Sequence, residues 1–262
     1  MSTIPTFWEN SVKIDYNRCY TEFFLYNQLL ARMNMNKEYL KCVYCYTREK
    51  ETDDHVPPKS FYPTPRPSNL ITVPSCLKCN QGLGIDEEFF LATFMFTHAA
   101  ESSPGKQLWD KKISRMYEEN LGLRRKIADH LQYSEISTPS GIFLGRKWTI
   151  KTDEKRFEKV VNKILRGLYF FEYNEPIPDN AEIMTLFLNQ EEKFKEAGKK
   201  ADELKLGSRI WNGIFEYKFN RVAESPTESM WLFRFWGYAN FWSVTYDKEM
   251  SESQQAGAPD RQ

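Results

Sequence analysis

Residues 41–84 read KCVYCYTREKETDDHVPPKSFYPTPRPSNLITVPSCLKCNQGLG. Two CxxC pairs bracket the stretch, Cys42/Cys45 at its start and Cys76/Cys79 near its end. Each pair sets two thiolates on one tight turn, and two such pairs complete a tetrahedral four-sulfur zinc site. No coordination position is left open, so the zinc is expected to be structural. Sites of this kind bind with about 10–16 kcal/mol in small peptides, enough to hold a module that lacks a large core. The thirty residues between the pairs exceed the roughly 15–20 of a plain zinc ribbon, so the loop is expected to carry something more. The fifth cysteine, Cys19, reads as a small buried hydrophobe on a helix over Tyr16–Met35.

The loop carries Asp53, Asp54 and His55, then five prolines between Pro57 and Pro67, then Asn69 just ahead of LITVP. Asn80 follows the last cysteine directly. The prolines exclude a helix interior. The β-branched run in NLITVP predicts a strand stopped by Pro74. Ser75 is placed to cap a short helix over CLKCNQGL that ends at Gly82 or Gly84. A second helix is expected over Asp86–Ala100, with Asp86, Glu87 and Glu88 suiting its N-terminal dipole.

This order of residues resembles the HNH nuclease family, with its ββα-metal fold, in the version that carries a four-cysteine zinc site. The resemblance covers residues 41–84, about a sixth of the chain. It implies that His55 is the general base and that Asp54 with Asn80 holds a catalytic magnesium or manganese ion, Asp53 being the alternative ligand. It also implies that Asn69 orients the histidine and that the products end in 5′-phosphate and 3′-hydroxyl. Asn80 stands where many relatives carry histidine; an amide oxygen is a hard neutral ligand that suits magnesium. A neutral imidazole can take a proton from water near pH 7, its ordinary pKa being about 6.5. Lys59, Arg66 and Lys78 lie inside the motif and are candidate phosphate contacts.

The remainder of the chain limits the partners. The formal net charge is zero, which argues against a protein that coats nucleic acid by bulk charge. Between Pro104 and Arg166, however, fifteen Lys/Arg stand against eight Asp/Glu. That makes the region, with LRRK at 123–126 and GRKW at 145–148, the candidate DNA-tracking surface. The chain opens without a basic-then-apolar leader, and FFLATFMF at 89–96 is too short to span a bilayer, so a soluble cytoplasmic protein is expected.

Phe157, Val160, Val161, Ile164, Leu165 and Leu168 follow helical spacing, and a further helix is expected over Glu182–Lys205. Phe215, Tyr217 and Phe219 alternate, and SMWLFRFWGYANFWSVTY reads as two aromatic strands joined near Gly237. Aromatics on both faces of MWLFRFW favour core packing over a base-stacking platform.

The expected fold class is α+β. Residues 1–103 form an N-terminal helix and the nuclease module, 104–250 an accessory domain ending in aromatic antiparallel strands, and 251–262 a polar tail. The expected function is metal-dependent hydrolysis of double-stranded DNA, in a bacterial or phage defence or restriction setting. Specificity would come from a partner protein or a second copy of the chain. Two other readings stay open: a non-catalytic zinc module that binds nucleic acid or protein, and an RNA-cleaving toxin. A mere scaffold needs only the cysteines, so intact Asp54, His55, Asn69 and Asn80 weigh toward an enzyme.

Overall fold

The structure, a computed structural model, describes residues 41–98, 102–188, 207–211 and 213–249, together with 196 and 199. The helix expected over Tyr16–Met35, Cys19 and the polar tail lie outside the described residues.

Strand β1 (Thr52–Val56) pairs antiparallel with β2 (Ile71–Ser75), His55 standing opposite Thr72. The short helix α1 (Leu77–Gln81) follows at once. Pro74 does not end β2: it stands opposite Asp53, and its carbonyl accepts the Val43 N–H at 3.1 Å. A two-stranded ribbon has only edges, so the N–H that proline lacks costs no ladder bond. Ser75 therefore belongs to the strand, where its hydroxyl donates to the Cys76 carbonyl, and Cys76 takes the N-cap position expected of Ser75.

Helix α2 (Gly84–His98) buries Phe89, Phe90, Leu91, Ala92, Phe94 and Met95, so the apolar run is core as far as Met95, Phe96 being exposed. Helix α3 (Ser103–Leu108), a π-helical turn (Trp109–Ile113), α4 (Ser114–Glu119) and α5 (Leu121–His130) lead into a hairpin of β3 (Leu131–Ser137) and β4 (Phe143–Ile150). LRRK sits on α5 with Leu123 buried, whereas GRKW sits on β4.

The long helix α6 (Glu154–Tyr173) starts at the Asp153 cap, whose carboxylate accepts the Arg156 N–H. It ends where Asn174 turns left-handed at φ 57°. Five strands complete the fold: β5 (Ala181–Phe187), β6 (Gly207–Trp211), β7 (Phe215–Arg221), β8 (Ser229–Phe235) and β9 (Ala239–Asp247), in the spatial order β5-β9-β8-β7-β6, all antiparallel. The helix expected from Glu182 is thus a strand over its first residues. β5 pairs along its whole length with β9, and Thr185 bonds Ser243 across the pair. A half-buried pleat is the better place for Ile183, Thr185 and Phe187 than a helix face.

Helix α6 lies between the sheet and the β1/β2 ribbon. On the sheet side Phe157 meets the rings of Phe187 and Phe241, and Thr185 donates to Asn162 at 2.6 Å. On the other side Gly167 lets the helix approach β1 so closely that a Cβ there would stand 2.6 Å from Cγ2 of Val56. One buried cluster runs from Val43 to Phe241, drawing on residues from both sides of the boundary expected near 103. The aromatic strands pack into it, with Phe215, Tyr217, Trp231, Phe233 and Phe235 all buried.

Candidate functional site

The two CxxC turns meet. All four cysteine sulfurs lie within 4.8 Å of one another, Cys42 and Cys76 buried, Cys45 and Cys79 half-buried. Sulfurs each about 2.3 Å from a tetrahedral zinc stand roughly 3.8 Å apart, so the donor set fits that metal. Both turns use the same backbone device. The Tyr46 N–H donates to the Cys42 carbonyl and the Asn80 N–H to the Cys76 carbonyl, each at 3.0 Å. Tyr46 closes its turn with φ 59°. Partial burial pushes the Cys45 thiol up, but the Thr47 hydroxyl and the backbone of Thr47 and Arg48 outweigh it and bring the thiol down to about 6. Burial and the neighbouring cysteines push the Cys79 thiol the other way, well above its usual range.

Strand β1 leaves this cluster, and its period of two divides the acidic motif. Thr52, Asp54 and Val56 turn inward, whereas Asp53 is exposed and His55 half-buried on the other side. Asp53 pairs with Lys50 at 2.8 Å. His55 is held below the ordinary imidazole range, first by burial and then by the charges of Lys59 and Arg66, against an opposing pull from Asp54 and Asp53. The neutral imidazole is thereby favoured.

Basic side chains gather on the proline-rich loop beside it. Arg66 Nε donates to the Lys59 carbonyl at 3.1 Å, Lys112 Nζ to the Ser60 carbonyl at 3.2 Å and Lys111 Nζ to the Thr64 carbonyl at 3.3 Å. Burial, followed by the nearby Arg66, holds the Lys112 ammonium below its usual range. Lys111 and Lys112 come from the π-helical turn and were not among the candidate phosphate contacts. The basic lean of residues 104–166 was the available signal, but not their place in space. Lys78 is exposed on α1. Arg146 in GRKW pairs with Glu135 at 2.7 Å, and Trp148 leans on Tyr133 with ring centroids 5.0 Å apart.

Asn69 lies in an exposed turn before β2, beyond the Val56–Ile71 pair that ends the ribbon. Asn80 lies on the inward side, its amide nitrogen donating to Thr52 Oγ1 at 3.4 Å. The structure therefore brings Asn80 and Asp54 together, on the side of β1 away from His55.

What joins them is Lys163 of α6. Its Nζ stands 3.0 Å from Asp54 Oδ2 and 2.9 Å from Glu87 Oε1, and donates to the Asn80 carbonyl at 3.1 Å. The Tyr44 ring faces the same ammonium, 5.6 Å from its centroid. The Tyr44 hydroxyl is pushed well above the phenol range by burial and then by Asp54. Burial works against the charge on Lys163, but Asp54 and Glu87 outweigh it and hold the ammonium above the usual lysine range. The residues as arranged do not fit the divalent ion that the resemblance puts between Asp54 and Asn80, because the ammonium stands 3.0 Å from Asp54 Oδ2 and brings a positive charge to that place. The Asn80 oxygen it meets is the backbone carbonyl rather than the side-chain amide, and Asp54 Oδ2 accepts no hydrogen bond among the described residues. No described helix is long and apolar enough to cross a membrane. Comparison of the whole chain with family models, curated proteins and solved structures finds no match.

Proposed function

We propose that the chain is a phosphodiester hydrolase of the HNH kind that cuts DNA at the outer face of β1. The observation that carries the reading is His55 itself: half-buried, its neutral form favoured by burial and by Lys59 and Arg66, on a ribbon anchored by four clustered cysteines. In this reading the cysteines hold a structural zinc that fixes the start of β1 against α1.

His55 takes a proton from a water molecule whose oxygen attacks the phosphorus. The bond to O3′ breaks, and that oxygen leaves with a proton from solvent, giving 5′-phosphate and 3′-hydroxyl ends. Lys59, Arg66 and Lys112 offset the charge that builds on the non-bridging oxygens. No step is routed through a metal on Asp54, and Asp53 alone is one exposed carboxylate already paired with Lys50. A restriction or defence effector is the role that such chemistry suits.

Incubation of the purified protein with supercoiled plasmid, single-stranded DNA and RNA tests the reading. Plasmid cleavage is expected, and His55→Ala is expected to lower it by about 10²–10⁴-fold, the range of general-base catalysis, while leaving zinc content and melting temperature unchanged. A His55→Ala protein that cuts at the wild-type rate removes the histidine from the mechanism. Preference for RNA would move the reading to an RNA-cleaving toxin. A second reading, a zinc module that binds nucleic acid without cutting, is favoured by the internal engagement of Asp54 with Lys163. Retardation of DNA without cleavage under any condition is its signature.

A further inference from the structure

We propose that Lys163 is a built-in cation: its ammonium takes the place of a divalent ion against Asp54, so that Asp54 braces the histidine strand and binds no metal. The inference rests on the nuclease reading only in its bearing on cleavage; the metal chemistry of the pocket stands by itself.

Lys163 meets three oxygens from three separate elements: its ammonium donates to the Asn80 carbonyl on α1 and to Glu87 Oε1 on α2, and forms an ion pair with Asp54 Oδ2 on β1, which accepts no hydrogen bond among the described residues. The three side chains involved, those of Lys163, Asp54 and Glu87, are only 10%, 9% and 13% exposed. The oxygens stand 2.9–3.1 Å from the nitrogen, the distances of an ammonium beside oxygens rather than of metal ligands. A magnesium ion would need them at about 2.0–2.1 Å in an octahedron. The Tyr44 ring closes the remaining side with its negative face. Lys163 also has little freedom to withdraw. One turn further along α6, Gly167 is pressed against Val56 and the Tyr44 hydroxyl, so the helix that carries the lysine is seated on the strand that carries the carboxylate.

The test is manganese binding to the zinc-loaded full-length protein, followed by the electron paramagnetic resonance of free Mn²⁺. Wild type and Asp54→Asn are expected to bind manganese equally weakly. Lys163→Ala leaves two carboxylates and a carbonyl facing one another, and is expected to take up one manganese ion at least tenfold more tightly than wild type. Adding Asp54→Asn to that variant should remove the gain.

Wild-type protein that binds one manganese ion tenfold more tightly than Asp54→Asn overturns the proposal, since the lysine then yields to metal. So does a Lys163→Ala protein with normal zinc content and circular dichroism that gains no affinity. Should Lys163→Ala not fold, the comparison of wild type with Asp54→Asn decides alone. Where plasmid is cut, Asp54→Asn should respond to added magnesium as wild type does, or be as indifferent to it; a tenfold higher magnesium requirement in the variant also overturns the proposal. Absence of cleavage in every protein and buffer sinks the nuclease reading instead, and leaves the manganese result standing.

Discussion

At the scale of single residues, the chemistry turns on two neighbours that share a strand and face opposite ways. His55 looks outward among basic side chains, while Asp54 looks inward to an ammonium. The shift on His55 has a definite consequence for acidity. Its neutral form is favoured, so the base survives at pH values where an ordinary histidine, with a pKa of about 6.5, is half protonated. The acid limb of kcat/KM for plasmid cleavage is expected to have its midpoint below 6.5; a midpoint above 7 would mean that the neighbouring carboxylates win over burial and the two cations. The four cysteines were legible because their spacing is a local pattern, and His55 because it lies between them. The divergence of Asp54 from His55 was also there to be read, since any strand alternates. Lys163 was not: it stands 83 positions after Asn80, and in sequence it is one more charge on an amphipathic helix.

At the scale of elements, the decisive contact is that of α6 with β1. Gly167 sits in the middle of a twenty-residue helix, where replacing glycine by alanine ordinarily stabilises by about 0.8–1.0 kcal/mol. Here the new Cβ would stand 2.6 Å from Val56 Cγ2, and a β-branched side chain has little room to turn aside. Overpacking of this kind costs about 1–3 kcal/mol and should outweigh the gain in helix propensity. Gly167→Ala is therefore expected to lower the midpoint of urea unfolding, and a rise would show that α6 can slide on the ribbon. The helix itself was readable from Phe157 to Leu168, because one apolar face repeats at helical spacing. The strand at Ala181–Phe187 was not, because its order comes from β9, more than fifty residues later. Propensity within a seven-residue segment does not record a partner that far away.

At the scale of the whole molecule, the ribbon and its cysteines draw on residues far along the chain. The counterion for Asp54 and Glu87 comes from α6, and much of the apolar surface under α2 is covered by rings from β8, β9 and the turn between them. A fragment of residues 41–98 is expected to bind zinc through its cysteines and yet lack the dispersed amide spectrum of a folded protein, since it buries two carboxylates without a cation. A well-dispersed fragment spectrum would show that the zinc suffices. The turn between β8 and β9 makes the dependence measurable in the intact chain. Trp236, left-handed at φ 51°, donates its indole N–H to the Phe61 carbonyl at 3.0 Å, in the first part of the loop that leaves His55. That one proton is a clock for the loop: it can trade with deuterium from solvent only when the segment lifts off the sheet. Its exchange rate counts how often the loop that follows the histidine strand loses its backing.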